Sequence, residues 1–267
     1  MSDNRPIGVF DSGLGGLTVV RELKKLLPNE SIVYFGDTGR VPYGNKSRDT
    51  IRKYAKEDEN FLLKQDVKMI VAACGTVSSV AKDTAKDLPV PFIEVVSHAA
   101  KAATRATKNK RIGIIGTNAT ILSGAHKAYI LSELPDALVA ENSCPLFVPL
   151  VESGVTEEND VIALEASQRY LAPIMEKGVD TLILGCTHYP VLAGVIKKVC
   201  GEGVALINMG EATAEFVKKY LSENDMLSSA QPRDKYYVSD KTDAFADTAK
   251  MLLGHDVEAE TVDIEKI

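Results

Sequence analysis

Residues 67–79 read VKMIVAACGTVSS. A run of mostly apolar, strand-forming residues delivers Cys74, breaks at Gly75-Thr76, and passes into helical patterning. A strand that is apolar on both faces belongs in a parallel sheet, because crossover helices cover both of its sides. The surrounding chain keeps the same rhythm. RPIGVF (5–10), SIVYFGD (31–37) and VPFIEVV (90–96) are predicted strands; GLTVVRELKKLL (16–27), DTIRKYAKEDENFLLKQ (49–65) and TVSSVAKDTAKDL (76–88) are predicted helices. This βαβα order predicts an α/β, doubly wound architecture with mainly parallel sheets.

The order then recurs. RIGIIGTNAT (111–120) resembles PIGVFDSG (6–13), DTLILGCTH (180–188) resembles KMIVAACGT (68–76), and VALINMGEATAEFV (204–217) resembles VPFIEVVSHAAKAA (90–103). The offsets are nearly constant at 105, 112 and 114 positions, so a whole α/β unit is duplicated, not a short solenoid repeat. Two pseudo-symmetric domains are expected: residues 1–97 with 208–267, and residues 98–207. The C-terminal helical stretches, including TDAFADTAKMLLG (242–254), are expected to pack back onto the first. In open α/β sheets the ligand site lies outside the carboxyl ends of the strands, so two facing units share one cleft.

Composition narrows the function. The 267 residues are 45% hydrophobic and 25% charged, ordinary for a globular protein, with enough chain for substantial cores. The net charge of −6, with Lys and Arg interspersed among acids, gives no footprint for nucleic acid. No apolar run approaches the roughly 20 residues needed to cross a bilayer. The N-terminal MSDNRPIGVFD enters a strand without a signal-peptide pattern, which makes a cytoplasmic protein the expectation. Cys74, Cys144, Cys186 and Cys200 then read as free thiols, and no metal site is expected: there is no CxxC pair, and Cys186-Thr187-His188 falls short of four zinc ligands.

DSGLGG (11–16), between a strand and a helix, is a poor dinucleotide fingerprint because the third glycine position is Thr18, and no Walker lysine follows. Asp37 does fall where a ribose-binding acid is expected, which keeps a nucleotide-dependent enzyme as a rival reading. Asp11 and Ser12, at the strand end, draw more interest; a helix cap alone accounts for Ser12. GDTGRVPYGNKS (36–47) reads as an exposed loop whose Pro42-Tyr43-Gly44 turn presents a phenol toward a substrate. Thr117 and Thr120 precede a helix as caps or carboxylate contacts. Glu152, in LFVPLVESG (146–154), ends a predicted strand in a place comparable to Asp37. Cys144 and Cys200 read as structural, and His98 and His126 as helical residues without chemistry.

Cys74 and Cys186 each end a strand and precede a helix, where N–H groups and the positive dipole end lower a thiol pKa from about 8.5. One such cysteine is more simply a packing residue; two at equivalent positions of a duplicated fold point to chemistry. A small chiral acid between them loses its α-proton to one thiolate and gains a proton from the opposite thiol, which inverts the stereocentre without a cofactor. Asp11 and His188 are the neighbouring groups able to assist proton movement.

DSGLGGL (11–17), PYG (42–44), the Cys74–Thr76 segment, GTNAT (116–120) and GCTHYP (185–190) resemble the signature segments of the glutamate racemase family. The resemblance spans roughly residues 5–215. It implies cofactor-independent interconversion of L- and D-glutamate, supply of D-glutamate for peptidoglycan, and commonly a homodimer. By matching position it makes Cys74 and Cys186 the acid and base, helped by Asp11, Glu152 and His188. It places Asp11, Ser12, Tyr43, Gly44, Gly75, Thr76, Thr187 and His188 against the substrate. One departure stands out: the family usually has Asn after the first cysteine, where this chain has Gly75. Asparagine offers two donors and an acceptor, glycine only its backbone, so the difference bears on affinity and selectivity and not on the proton-transfer pair. Within the same superfamily, an aspartate or hydantoin racemase is the neighbouring reading; a non-catalytic binding protein on this fold is another.

Overall fold

The computed structural model describes residues 2–241 and 245–266. Among these residues, β1 (Ile7–Asp11), β2 (Ile32–Gly36), β3 (Met69–Ala72) and β4 (Phe92–Glu94) form the first half. The second half holds β5 (Arg111–Gly116), β6 (Leu138–Ser143), β7 (Thr181–Gly185) and β8 (Ala205–Asn208). Two later strands, β9 (Lys235–Val238) and β10 (Glu260–Thr261), return to the first sheet. The sheet orders are β10-β9-β2-β1-β3-β4 and β6-β5-β7-β8, and every pairing is parallel. The block β2-β1-β3-β4 therefore repeats as β6-β5-β7-β8, and the three sequence repeats fall on equivalent strands.

The crossover helices of the first half are α1 (Leu17–Leu26), α2 (Arg48–Leu63), α3 (Gly75–Val80) and α4 (Val95–Ala106). Those of the second are α5 (Asn118–Ser123), α6 (Ala125–Glu133), α7 (Phe147–Glu152), α8 (Val161–Met175), α9 (Ala193–Cys200) and α10 (Met209–Glu223). α1 buries Leu17, Val19, Val20 and Leu23 against the first sheet, each stabilising the fold by about 1.5–3 kcal/mol. Lys24 and Lys25 close its last turn, where cations suit the helix dipole. α4 leaves β4 to pack on α6, β7 and β8 of the second half, and α10 packs on both α1 and α4 and so bridges the two halves.

Two predicted elements are shorter than their sequence patterns. The strand over 90–96 stops at Glu94, because its carboxylate accepts the N–H groups of Val96 (2.6 Å) and Ser97 (3.1 Å) and caps α4. The helix over 76–88 ends at Val80 and continues as a 3₁₀ turn over Lys82–Asp87.

At the C-terminus the chain supplies strands as well as helix. Residues 242–244 lie outside the described residues; α11 (Phe245–Leu253) packs on α1. β9 was not anticipated, since Lys235 and two tyrosines dilute its apolar pattern, yet it pairs in register with β2. This return is fastened by a fully buried ion pair. Lys68 Nζ lies 2.6 Å from Glu30 Oε2 and donates to the carbonyls of Asp3 (2.8 Å) and Met226 (2.7 Å), while Glu30 accepts the Ser228 N–H.

Removing one partner of a buried pair strands the other charge. Lys68→Met is expected to destabilise the protein by about 3–5 kcal/mol, read as a fall in the urea midpoint. A midpoint within error of the unsubstituted protein rejects this account of the pair.

Candidate active site

All strands of each sheet run parallel, so their carboxyl ends share one edge, and the two edges face each other. Between them lies a cavity of about 240 Å³. That is below the ~300–1,000 Å³ of sites for drug-sized ligands and suits a small substrate. Ser12, Tyr43, Gly44, Cys74, Gly75 and Thr76 line it from the first half; Thr117, Glu152, Cys186, Thr187 and His188 line it from the second. Asp11 and Thr120 stand one layer behind. Asp11 lies beneath Ser12 and Cys74, and Thr120 supports Thr117 through a 3.0 Å hydroxyl contact. Hydrogen bonds cross between the halves: Thr18 Oγ1 donates to the Thr187 carbonyl (2.9 Å), Thr76 Oγ1 meets Thr117 Oγ1 (3.0 Å), and farther out Lys82 Nζ donates to the Tyr129 hydroxyl (2.7 Å).

Cys74 is the N-cap of α3, and its Sγ donates to Ser12 Oγ at 3.5 Å. The expected lowering of its pKa does not occur. Burial, reinforced by the Asp11 carboxylate, pushes the thiol up to about 12 and outweighs the Ser12 and backbone donors. Asp11 is itself raised by burial, against the pull of His188 and the N–H groups of Gly16 and Gly13. Its Oδ2 accepts the Gly13 N–H (3.1 Å), while Oδ1 is buried with no hydrogen-bond partner among the described residues.

Cys186 has a different neighbour. Its Sγ lies 3.9 Å from His188 Nδ1, and His188 Nε2 lies 3.2 Å from Glu152 Oε1, an ion-pair distance without hydrogen-bond alignment. Burial alone lowers the imidazole, but Cys186, Glu152 and Asp11 together reverse this and lift it to about 10. Glu152 ends α7 and not a strand. LFVPLV is a short apolar run whose period does not separate strand from helix, and here Phe147 and Val151 turn one helical face inward.

The 36–47 segment is exposed at Gly39, Val41, Pro42 and 45–47, as its glycines and proline suggest, but Asp37 and Tyr43 are buried. Tyr43 is buried: its ring lines the cavity while its hydroxyl donates to Asp37. Asp37 also accepts from Arg40 Nε (2.6 Å) on Oδ2 and from Ser239 (2.8 Å) on Oδ1, so both oxygens have protein partners and neither is free for a ribose. Burial and the adjacent Asp37 push the Asp58 carboxyl well above its usual range, against the pull of Arg40 and of the Tyr43 hydroxyl 3.1 Å from its Oδ2. Sequence reasoning missed Cys144, which lines the cavity. It follows β6 as Cys186 follows β7, and that position was the available signal. Cys200 ends α9 away from the cleft, His98 stacks on Phe216 on the outer face, and His126 is buried without a ring partner. Among the described residues no group of three or more His, Cys, Asp or Glu side chains is placed to hold a metal, and no helix is long and apolar enough to cross a membrane.

The fold and this cleft define a racemase, an isomerase that inverts a stereocentre. The sequence matches the Asp/Glu/Hydantoin racemase family over residues 7–217, and the chain belongs to that family. It is 43% identical over 266 residues to a glutamate racemase of Thermoanaerobacter pseudethanolicus, covering 99% of both chains. The structure of Francisella tularensis glutamate racemase in complex with D-glutamate is similar at a TM-score of 0.93 and 38% identity, covering 99% of this chain and 100% of that one. That of Thermus thermophilus glutamate racemase in complex with β-chloro-D-alanine is similar at 0.88 and 43% identity, covering 100% of each.

His188 holds its proton more tightly in the folded state than at its ordinary value near 6.5. Its contribution to stability is thus fully present below pH 6.5 and lost as pH rises through about 10. The unsubstituted protein is expected to lose more stability between these pH values than His188→Asn, measured by urea unfolding at each pH. Equal losses in the two proteins remove His188 as the responsible group.

Proposed function

We propose that the protein interconverts L- and D-glutamate by a cofactor-independent, two-thiol mechanism. One observation carries the reading: Cys74 and Cys186 follow equivalent strands, β3 and β7, and line the same cavity from opposite halves. The glutamate racemases to which the chain is similar support the choice of substrate.

In one direction a thiolate takes the α-proton, breaking Cα–H and forming S–H, and leaves an enolate-like carbanion on the substrate carboxylate. The opposite thiol then gives its proton to the other face of Cα, and its sulfur becomes the new thiolate. The reverse reaction exchanges the roles. With its pKa near 12, Cys74 rests as the thiol at neutral pH, the form needed to deliver a proton. Asp11 behind Cys74, and His188 braced by Glu152 beside Cys186, move protons to and from the sulfurs between turnovers. The hydroxyls of Ser12, Thr76, Thr117 and Thr187, with the backbone at Gly44 and Gly75, hold the substrate carboxylates and amine and stabilise the developing charge. Tyr43 shapes the wall through its ring, its hydroxyl being engaged by Asp37. Thr120 acts through Thr117.

We also propose two domains, residues 1–97 with 208–267 and residues 98–207; the pairing of β9 and β10 into the first sheet supports the assignment of the C-terminal part. We further propose a cytoplasmic homodimer whose D-glutamate enters peptidoglycan.

Purified protein, with no pyridoxal phosphate or metal added, is expected to abolish the optical rotation of L-glutamate. In D2O the product should carry deuterium at Cα. Absence of exchange with either enantiomer sinks the proposal, and faster turnover of aspartate transfers it to that substrate. Cys74→Ala and Cys186→Ala should each lower racemisation by about 10²–10⁴-fold or more. Full activity in either variant refutes the two-thiol mechanism.

A further inference from the structure

Val41, Pro42, Tyr43, Gly44 and Asn45 form one wall of the cavity. Among the described residues no backbone hydrogen bond ties this stretch to a strand or helix of the first half; the Lys46 N–H returns to the Tyr43 carbonyl within the same turn (3.0 Å). The stretch is fastened at its root instead, on one buried carboxylate. Asp37 Oδ2 accepts from Arg40 Nε (2.6 Å) and from the Tyr43 hydroxyl, so residues on both sides of Val41-Pro42 close on a single oxygen. The rest of the Arg40 guanidinium reaches α2. It pairs with Glu57 and with Asp58 (3.1 Å) and lies 4.0 Å over the Tyr54 ring, which packs against the Tyr43 ring at 5.3 Å. From the other side Ser239, directly after β9, donates to Asp37 Oδ1 (2.8 Å) and accepts the Gly39 N–H (2.8 Å).

We infer that Arg40 and Ser239 are positioning residues for the substrate: by gripping Asp37 they hold the wall at 41–45 against the cleft. Neither lines the cavity. A guanidinium suits the task because its planar fork engages three carboxylates in different directions at once, where a lysine offers one point charge. Without it Asp37 and Glu57 lose their shared cation, and the root of the wall is left to the Tyr43 hydroxyl. The far side of the wall meets other parts of the site. A Cβ on Gly44 meets Thr117 Cβ at 3.0 Å, and one on Gly13 meets Val41 Cγ1 at 3.1 Å. The Gly44 backbone, which faces the substrate, is thus placed by what grips the chain four residues earlier. The two thiols stand on other elements, after β3 and β7, and share none of these anchors. Loosening the wall therefore weakens the hold on substrate and transition state alike and leaves proton transfer to bound substrate intact. Loss of such uniform binding shows in KM and not in kcat.

This inference rests on the racemase reading, so KM and kcat are measured separately and against the unsubstituted protein. Inversion of each glutamate enantiomer is followed by circular dichroism, and folding by thermal melting, in Arg40→Ala, Arg40→Lys, Ser239→Ala and Arg52→Met. Arg52 is the control: it also stands on α2 and pairs with an acid, Asp83, but lines no part of the cavity. Arg40→Ala is expected to raise KM at least about tenfold, the loss of a hydrogen bond between charged groups, with kcat retained within about threefold. Millimolar guanidinium should lower that KM again by filling the vacated place, a rescue that a general loss of stability does not show. Arg40→Lys should fall between the two. Ser239→Ala should raise KM by about two- to tenfold, as for one neutral donor. Arg52→Met should change neither constant. Folded Arg40→Ala with the unsubstituted KM, or with its loss confined to kcat, overturns the inference. If the Arg40 variants do not fold, an unchanged KM in Ser239→Ala overturns it, and a raised KM with kcat retained supports it. Failure of the unsubstituted protein to invert either enantiomer overturns the racemase reading instead.

Discussion

Parallel strand pairing is the constraint on which the remainder depends. Because every strand in each sheet points the same way, every strand-to-helix reversal falls on one edge. Residues that must leave extended geometry while staying near the core, such as Asp11, Cys74, Thr117 and Cys186, collect there. Placing two such edges face to face then yields a cavity whose walls come from equivalent positions. Antiparallel pairing would scatter the same residues to both ends of the sheets.

The two walls match in backbone and differ in charge. Cys74 has a carboxylate behind it, which opposes its ionisation; Cys186 has an imidazole drawn upward by the sulfur and by Glu152. Enantiomers in water are equal in free energy, but a chiral cleft is not obliged to treat them alike. On the two-thiol mechanism we propose, the proton inventory therefore differs between the two directions of turnover while the overall equilibrium stays at unity.

The sequence made the paired thiols legible because each terminates an apolar run long enough to read as a buried strand, and because the runs recur in order. It was silent on what surrounds the sulfurs. The upward shift of Cys74 comes from desolvation and from Asp11, 63 positions away in the chain, so a reading of local helix geometry gave the wrong direction. Glu152 was misassigned because a six-residue apolar stretch containing Pro149 fits either period. The sequence points the Tyr43 phenol toward a substrate, because the partners that engage its hydroxyl, Asp37 and Asp58, come beside it only on folding. β9 escaped notice because an edge-side strand tolerates Lys235 and tyrosines that a central one does not. Cys144 reads as structural because NSCPLF resembles a loop, whereas β6 runs to Ser143 and sets it at a strand end like the other two.

The return of β9 to the first sheet also has a consequence in time. A chain made from its amino end completes β1 to β4, and then the whole second sheet, before residues 235–238 exist. Until they emerge, β2 is an unprotected edge whose N–H and C=O groups invite other strands, and the Glu30–Lys68 lock lacks its closing contacts at Met226 and Ser228. The first half to be synthesised is thus the last to be finished, and a ribosome-bound or truncated chain carries its aggregation risk at β2 and not at the cleft.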